Sequence, residues 1–427
     1  MRVLRAAAVG MVLLAFITVG PTPSSAELKV NLGGYIKLDT EYQSNITNEG
    51  KFRVDPGPAS VAFTEGPNKD RVKARNDEFL MEARESRFHL SITDEVGATK
   101  LKGFIQGDFF GGRDDDSNSL VSNSSLFRLR HAWASGETQF GPGSLTVLAG
   151  QTWSAFMNID VAAWDLVDFN GPAGQLFARQ PQLRLTYAIP YGKGTSLNII
   201  GAVQAQSVNF ETTDLNAVPL TKSSLTAAGV SPARQEGENV PAFVGKLQWI
   251  SEYLKAEAGA IYSKAKGIAP NGKRQEANAY GLQASVTVPL GPFSINLHWD
   301  WLSGMNREAN GDYADAVFVV RPGNKRDVGV ITTTGGWGSL SYKLTPSTTV
   351  SGYYGIRTAE PSGFSGFGRG VNAFGDLVRE QSIHVTLLQQ FWKRFQFGAE
   401  YERQWVDAFR QNSGTQNIYH LAVWMFF

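Results

Sequence analysis

The chain has 427 residues, a formal net charge of +1, no cysteine, 42% hydrophobic residues and a mean hydropathy of −0.20. A near-neutral balance lacks the basic face of a nucleic-acid binder, and without cysteine there is no disulfide, thiol chemistry or thiolate metal site. The mean hydropathy suits a soluble enzyme and equally a strand wall that is apolar on alternate residues, so composition leaves those two classes open.

Arg2 and Arg5 form a basic start, residues 6–19 an apolar core, and residues 21–26 a break with small residues at Ser24 and Ala26. This pattern predicts a secretory signal peptide over residues 1–26, cleaved after Ala26. Its apolar run is shorter than the roughly 20 residues of a spanning helix, and no later stretch approaches that length. Any membrane crossing after residue 26 is therefore made by strands, which lipid tolerates only as closed barrels.

From residue 29 to 42 the chain alternates. Val30, Leu32, Gly34, Ile36, Leu38 and Tyr42 share one face, with Lys29, Asn31, Lys37, Asp39 and Glu41 on the other. The same period of two returns at residues 99–109, at 280–288 and at 293–301, which predicts strands with one face for lipid and one for water. Very short turns are expected at 94–97, 140–143, 190–194, 251–252, 289–292, 345–347 and 392–394. Between them lie long polar stretches at 43–77, 111–125, 158–178, 209–238, 264–276, 304–326, 358–377 and 406–415. Seven short and eight long links in alternation predict an all-β, transmembrane antiparallel barrel of about sixteen strands over residues 27–427. Its short turns would be periplasmic and its long loops extracellular.

The last strand places Tyr419, Leu421, Val423, Met425 and Phe427 on one face, so the chain ends on an aromatic residue. That ending resembles the assembly signal of bacterial outer-membrane proteins, which implies the barrel-assembly machinery as a partner and the outer membrane, with its lipid and lipopolysaccharide, as the location. Aromatics near expected strand ends, among them Tyr42, Phe109, Phe110, Trp153, Tyr187, Trp249, Tyr253, Phe391, Trp392 and Trp405, suit interfacial girdles.

The segments Ala83 to Leu90 (ARESRFHL), Phe127 to Trp133 (FRLRHAW) and Leu148 to Phe156 (LAGQTWSAF) make the sequence resemble trimeric porins, and more narrowly the DcaP-like porins of Gram-negative bacteria. The resemblance covers the first third of the chain. It implies a homotrimer of barrels passing small, often anionic solutes of the dicarboxylate type by passive diffusion. The family's founding members carry a helical coiled coil before the barrel, whereas here the first strand begins almost at the predicted cleavage site, so traits tied to that extension are not carried over.

A water-filled pore becomes selective where loops and charged side chains narrow it. The 158–178 segment follows the fifth strand, where trimeric porins of this size fold a loop inward, and it is the candidate constriction loop, carrying Asp160, Asp165 and Asp168. Lumen-facing cations are expected at Arg87, Lys100, Lys102, Arg128, Arg130 and Arg184, with Phe127, Leu129, Leu183 and Leu185 toward lipid. Acidic loop residues opposite a basic wall would set a transverse field favouring anions; a solvated lining without preference is the plainer alternative. Asp114, Asp115 and Asp116 offer hard oxygen ligands for a weak Ca²⁺ site, without the ligand spacing of an EF-hand. No other cofactor is expected. A hydrolase would need an activated nucleophile, and no G-x-S-x-G elbow is present, although Asp300 lies two residues from His298. A non-conducting structural or adhesive barrel is the remaining alternative.

Overall fold

The computed structural model describes residues 28–44, 77–111, 125–161, 164–168, 170–206, 210–211, 240–268, 274–309, 313, 315–321, 325–360, 377–408 and 412–427. The predicted signal peptide and the Asp114–Asp116 cluster lie outside the described residues.

Sixteen wall strands run antiparallel to their sequence neighbours. They are β1 (Lys29–Gln43), β2 (Glu78–Glu82 and Arg87–Val96), β3 (Thr99–Gly111), β4 (Leu126–Phe140), β5 (Gly143–Trp153), β6 (Arg179–Pro190), β7 (Ser196–Gln204) and β8 (Ala242–Ile250). They continue as β9 (Lys255–Ile268), β10 (Arg274–Leu290), β11 (Phe293–Ser303), β12 (Thr332–Thr345), β13 (Thr348–Ala359), β14 (Leu377–Phe391), β15 (Phe395–Ala408) and β16 (Asn412–Phe426). Both pieces of β2 pair with β1, on either side of a turn in which the Ser86 N–H donates to Ala83 O at 3.0 Å. The ring closes where β16 pairs with β1, from Tyr35 opposite Phe426 to Gln43 opposite Ile418. Phe427 and Gly34 then exchange backbone hydrogen bonds of 3.1 and 3.2 Å. Closure satisfies the backbone and leaves no sheet edge, the condition for strands in lipid.

Sidedness is inverted relative to a water-soluble protein. On β1 the buried side chains are Lys37, Asp39, Glu41 and Gln43, while Leu32 is 71% exposed and Ile36, Leu38 and Tyr42 are exposed with it. On β16 Gln416, Ile418, His420, Ala422 and Trp424 point inward, against outward Tyr419, Leu421 and Val423. Leaving a Leu or Phe in water forgoes roughly 2 kcal/mol of burial, and an exterior belt of such residues is relieved only by lipid.

All seven short turns fall where the alternation places them, at 97–98, 141–142, 191–195, 251–254, 291–292, 346–347 and 392–394. Two of the expected long loops are shorter than predicted. β9 and β10 stay paired out to Ile268 and Arg274, and β15 and β16 to Ala408 and Asn412, because polar residues extend strands beyond the lipid belt as readily as they form loops. At the short-turn end Phe140 packs edge-on to Tyr187, Tyr191 tilts against Trp249, and Trp392 is 85% exposed, as an aromatic girdle requires. Trp153 and Phe110 do not belong to it. Trp153 packs inside against His131 and Phe177 because it ends its strand where the chain turns into the lumen, and Phe110 lies beneath Arg84 and Arg128 because it occupies a lumen-side position.

Two elements accompany the long-loop end. The 154–178 segment enters the lumen, and a two-stranded ribbon, Ala316–Arg321 with Lys325–Val330, pairs in parallel with the short strand Phe210–Glu211.

Candidate functional site: the lumen constriction

The 154–178 segment is pinned at its root, where the Ser154 N–H donates to Ala178 O at 2.9 Å. Its first residues, Ala155, Phe156 and Met157, together with Leu176, are fully buried against inward Ala202, Val244, Ile261, Ala279 and Leu302 and against Met305. Inward positions on β7 to β11 near the long-loop end are thus apolar, and they form a small dry core inside the barrel. Lys246 ties the same region, donating to Met157 O at 2.7 Å while pairing with Glu257 at 3.2 Å.

From that core the segment crosses the lumen and is caught by the opposite wall. On leaving the core side Val161 O accepts from Thr287 Oγ1 of β10; beyond it the Asp165 N–H donates to Tyr353 Oη at 3.0 Å, and the Val167 N–H to Glu400 Oε2 at 2.5 Å. Lys37 Nζ donates to Val167 O at 3.1 Å, the Ala173 N–H to Ser382 Oγ at 2.8 Å, and Arg357 Nη2 to Gly174 O at 3.2 Å. Gly174 is left-handed at φ +84°, and an added Cβ would lie 2.5 Å from Ile356 O and 2.6 Å from Gly336 N. Glycine here lets the segment's backbone lie directly on the wall.

On the way back the Phe177 N–H donates to Glu308 O at 2.7 Å and Leu176 bridges to Ala309, joining the segment to residues 304–309. Glu308 sits in that link, outside the wall strands, with Oε1 accepting from Gln204 Nε2 at 3.0 Å and Oε2 without a hydrogen bond among the described residues. Burial pushes its carboxyl up to about 7, and Asp315 adds to the rise, while hydrogen bonds from Ser154 and Gln204 oppose it.

Between the segment and the wall of β1, β2, β4 and β5 lies a cavity of about 320 Å³. Lys37, Glu85, Arg87, Arg130 and the segment's Asp168 line it, along with Tyr35, Trp153, Trp164, Phe177 and Trp424. Lys37 bonds Glu85 and, at 2.8 Å, Asp39; Arg87 reaches Glu85 at 2.8 Å. Asp108 receives Arg128 through two bonds of 2.9 and 2.8 Å and Arg130 through one of 2.7 Å. Arg179 lies 4.7 Å above Trp153, which Arg130 also faces at 5.8 Å. Among the described residues of this wall six cations, Lys37, Arg84, Arg87, Arg128, Arg130 and Arg179, stand with the four carboxylates they pair with, Asp39, Glu82, Glu85 and Asp108.

Among the cations expected from the sequence, Arg87 and Arg130 line the cavity and Arg128 shares Asp108 with Arg130. Lys100 and Lys102 are exposed at the first lumen-side positions after the 97–98 turn, near the short-turn mouth, with Lys102 5.8 Å from Trp133. Arg184 bonds Trp153 O at 3.1 Å and Gln182 at 3.0 Å and is electrostatically coupled to exposed Asp160. The three loop acids diverge: Asp168 lines the cavity, Asp160 lies toward Arg184, and Asp165 is held at Tyr353 and Ser351. Lys37, Glu85, Asp108 and Arg179 were not singled out in advance. Lys37 and Asp108 stand on lumen faces that the alternation marks, but their ion pairs join different strands and carry no local signature.

A pairing that no motif announced joins β10 to β11. Ser285 stands opposite His298, with Oγ 2.8 Å from Nδ1, and His298 Nε2 lies 3.1 Å from Asp300 Oδ2, itself bonded by Arg357 at 2.7 Å. This is a Ser–His–Asp relay assembled by strand register.

The DcaP outer membrane channel of Acinetobacter baumannii matches the structure with a TM-score of 0.68 at 20% identity, over 96% of this chain and 100% of that one. The anion-selective porin from Comamonas acidovorans matches at 0.54 with 13% identity, over 94% and 100%. The trimer form of in-vitro folded OmpT, an outer membrane protein of Vibrio cholerae, matches at 0.53 with 10% identity, over 94% and 99%. No protein-family model and no curated protein matches the sequence. The fold is that of the bacterial outer-membrane porins, a closed antiparallel barrel of sixteen strands. Within that class, the three segments resembling DcaP-like porins supply Glu85, Arg87, Arg130 and Trp153, which stand around one cavity, and Arg128, which shares Asp108 with Arg130.

Proposed function

We propose that the chain is an outer-membrane porin passing small hydrophilic solutes by passive diffusion, with a constriction that favours anions of the dicarboxylate type. The observation that carries this is the surplus of cations among the described residues, six against the four carboxylates they pair with, on the wall facing the 154–178 segment. Arginines held by carboxylates and aromatic faces keep a fixed direction, so their field is presented to a passing solute without reorganisation. The anion selectivity of the Comamonas protein and the dicarboxylate transport implied by the DcaP resemblance point the same way. Assembly as a homotrimer agrees with the Vibrio protein's trimer form, and insertion through the terminal signal of Tyr419, Leu421, Val423, Met425 and Phe427 agrees with their outward row. In planar bilayers under a salt gradient the reversal potential shows anion preference, and Arg128→Ala with Arg130→Ala moves it toward zero. Cation preference in the unaltered protein, or no movement in the double variant, refutes the basic wall.

The Ser285–His298–Asp300 relay supports a second reading, a hydrolase. Its weakness is geometric: Ser285 lies within the ladders of β10, whose backbone donors are engaged, and a nucleophile needs donors aimed at the developing oxyanion. Labelling with a fluorophosphonate probe decides it; modification at Ser285 that Ser285→Ala abolishes establishes the hydrolase.

A further inference from the structure

At the catching end of the constriction segment, β14, β15 and β16 bring together two histidines and two glutamates that selectivity does not require. His384, Glu400, Glu402 and His420 are each at most 4% exposed. One ligand atom from each of His384, Glu400 and Glu402 lies within 4.8 Å of the other two. His384 Nδ1 is 2.8 Å from Glu400 Oε1 and its Nε2 is 3.7 Å from Glu402 Oε1, while His420 Nε2 is 3.4 Å from Glu402 Oε2. Among the described residues the ion pairs of Glu400 and Glu402 run to these histidines and to no lysine or arginine. Among the described residues these buried carboxylates find opposite charge only in the two histidines, and a divalent ion supplies that charge in place of the histidine protons.

We propose that His384, Glu400 and Glu402 form a binding site for a divalent first-row transition-metal ion, with zinc as its natural probe, and that His420 buttresses it through the far oxygen of Glu402. Ligands of one tetrahedral Zn²⁺, each about 2.0–2.2 Å from the ion, stand about 3.3–3.6 Å apart, so these atoms, within 4.8 Å of one another without the ion, would draw together on binding it. Mixed nitrogen and oxygen donors select zinc or its neighbours over Ca²⁺ and Mg²⁺, which take oxygen. The outer support is also in place. Gln404 Nε2 donates to Glu402 Oε1 at 2.6 Å, Thr386 Oγ1 to Glu400 Oε2 at 3.0 Å, and Ser382 Oγ lies 3.0 Å from His384 Nε2. Metal entry releases to solvent the proton held between His384 and Glu400. Because Glu400 Oε2 also accepts the Val167 N–H, the ion would clamp the constriction segment to the wall.

The test loads detergent-folded full-length barrel with ZnCl₂, desalts it and measures bound metal by mass spectrometry, with affinity from calorimetry. Near one Zn²⁺ per chain is expected. His384→Ala and the isosteric Glu402→Gln weaken binding by roughly tenfold or more, while His298→Ala, which alters a buried histidine outside the cluster, retains it. Folding of each variant is read from heat-modifiable gel mobility, and Glu402→Gln decides if His384→Ala does not fold. A second readout is amide exchange at Val167, which slows with zinc in the unaltered chain only. No retained zinc in the unaltered chain, or equal retention in His384→Ala, Glu402→Gln and His298→Ala, overturns the site.

Discussion

Glu308→Gln tests whether the constriction segment is tied to the 304–309 link through a buried carboxyl. Burial raises the Glu308 carboxyl from an ordinary 4.5 to about 7, and Asp315 adds to the rise. A raised carboxyl is protonated in the closed link and ionised once the link opens to water. Between those two values the closed state binds more protons, so closure is strongest below about 4.5 and weakens as pH rises toward 7. The full effect is about 3 kcal/mol. From pH 5.5 to 8 the linkage amounts to about 2 kcal/mol, or roughly a 25-fold increase in the opening equilibrium. Amide hydrogen exchange at Phe177, whose N–H bonds Glu308 O at 2.7 Å, reads that opening directly. After correction for intrinsic exchange, the unaltered protein opens more at pH 8, and Glu308→Gln removes most of the difference because its amide does not titrate. Equal pH dependence in both proteins would show that Glu308 is solvated in the closed link and would refute the reasoning.

Two further perturbations probe the seat of the segment. Gly174→Ala forces a side chain into a left-handed residue at φ +84° and into contact with Ile356 O and Gly336 N. Beyond about 1 kcal/mol of backbone strain, it lifts the segment, and single-channel recordings show altered conductance. Gly192→Ala, at φ +114° in a turn with nothing within 4 Å, carries strain without the clash and leaves conductance unchanged. Arg357→Met removes the guanidinium partner of buried Asp300, leaving it His298, and the bonds to Thr333 Oγ1 and Gly174 O. Fully stranding a buried carboxylate costs about 3–5 kcal/mol; with His298 still bonded the loss is smaller, and it lowers the denaturation midpoint followed by tryptophan fluorescence. Adding Asp300→Asn recovers part of that loss, and no recovery would place the cost elsewhere.

The period of two along Lys29 to Tyr42 and its returns at 99–109, 280–288 and 293–301 determined by themselves which side of the wall each residue faces. Successive side chains in a strand must point to opposite sides, so side follows from position alone. The seven short turns follow from the same local signals. Only the tertiary structure decided that Lys37 meets Glu85, that Arg128 and Arg130 share Asp108, that Ser285 stands opposite His298, and that Glu400 holds Val167. These contacts depend on strand register and on the path of one loop across the lumen, and each joins residues that are distant along the chain or on different strands. The inward apolar patch of Ala202, Val244 and Ile261 shows the same limit. Side is encoded residue by residue, whereas what waits on the inner side is set by the segment that folds into it.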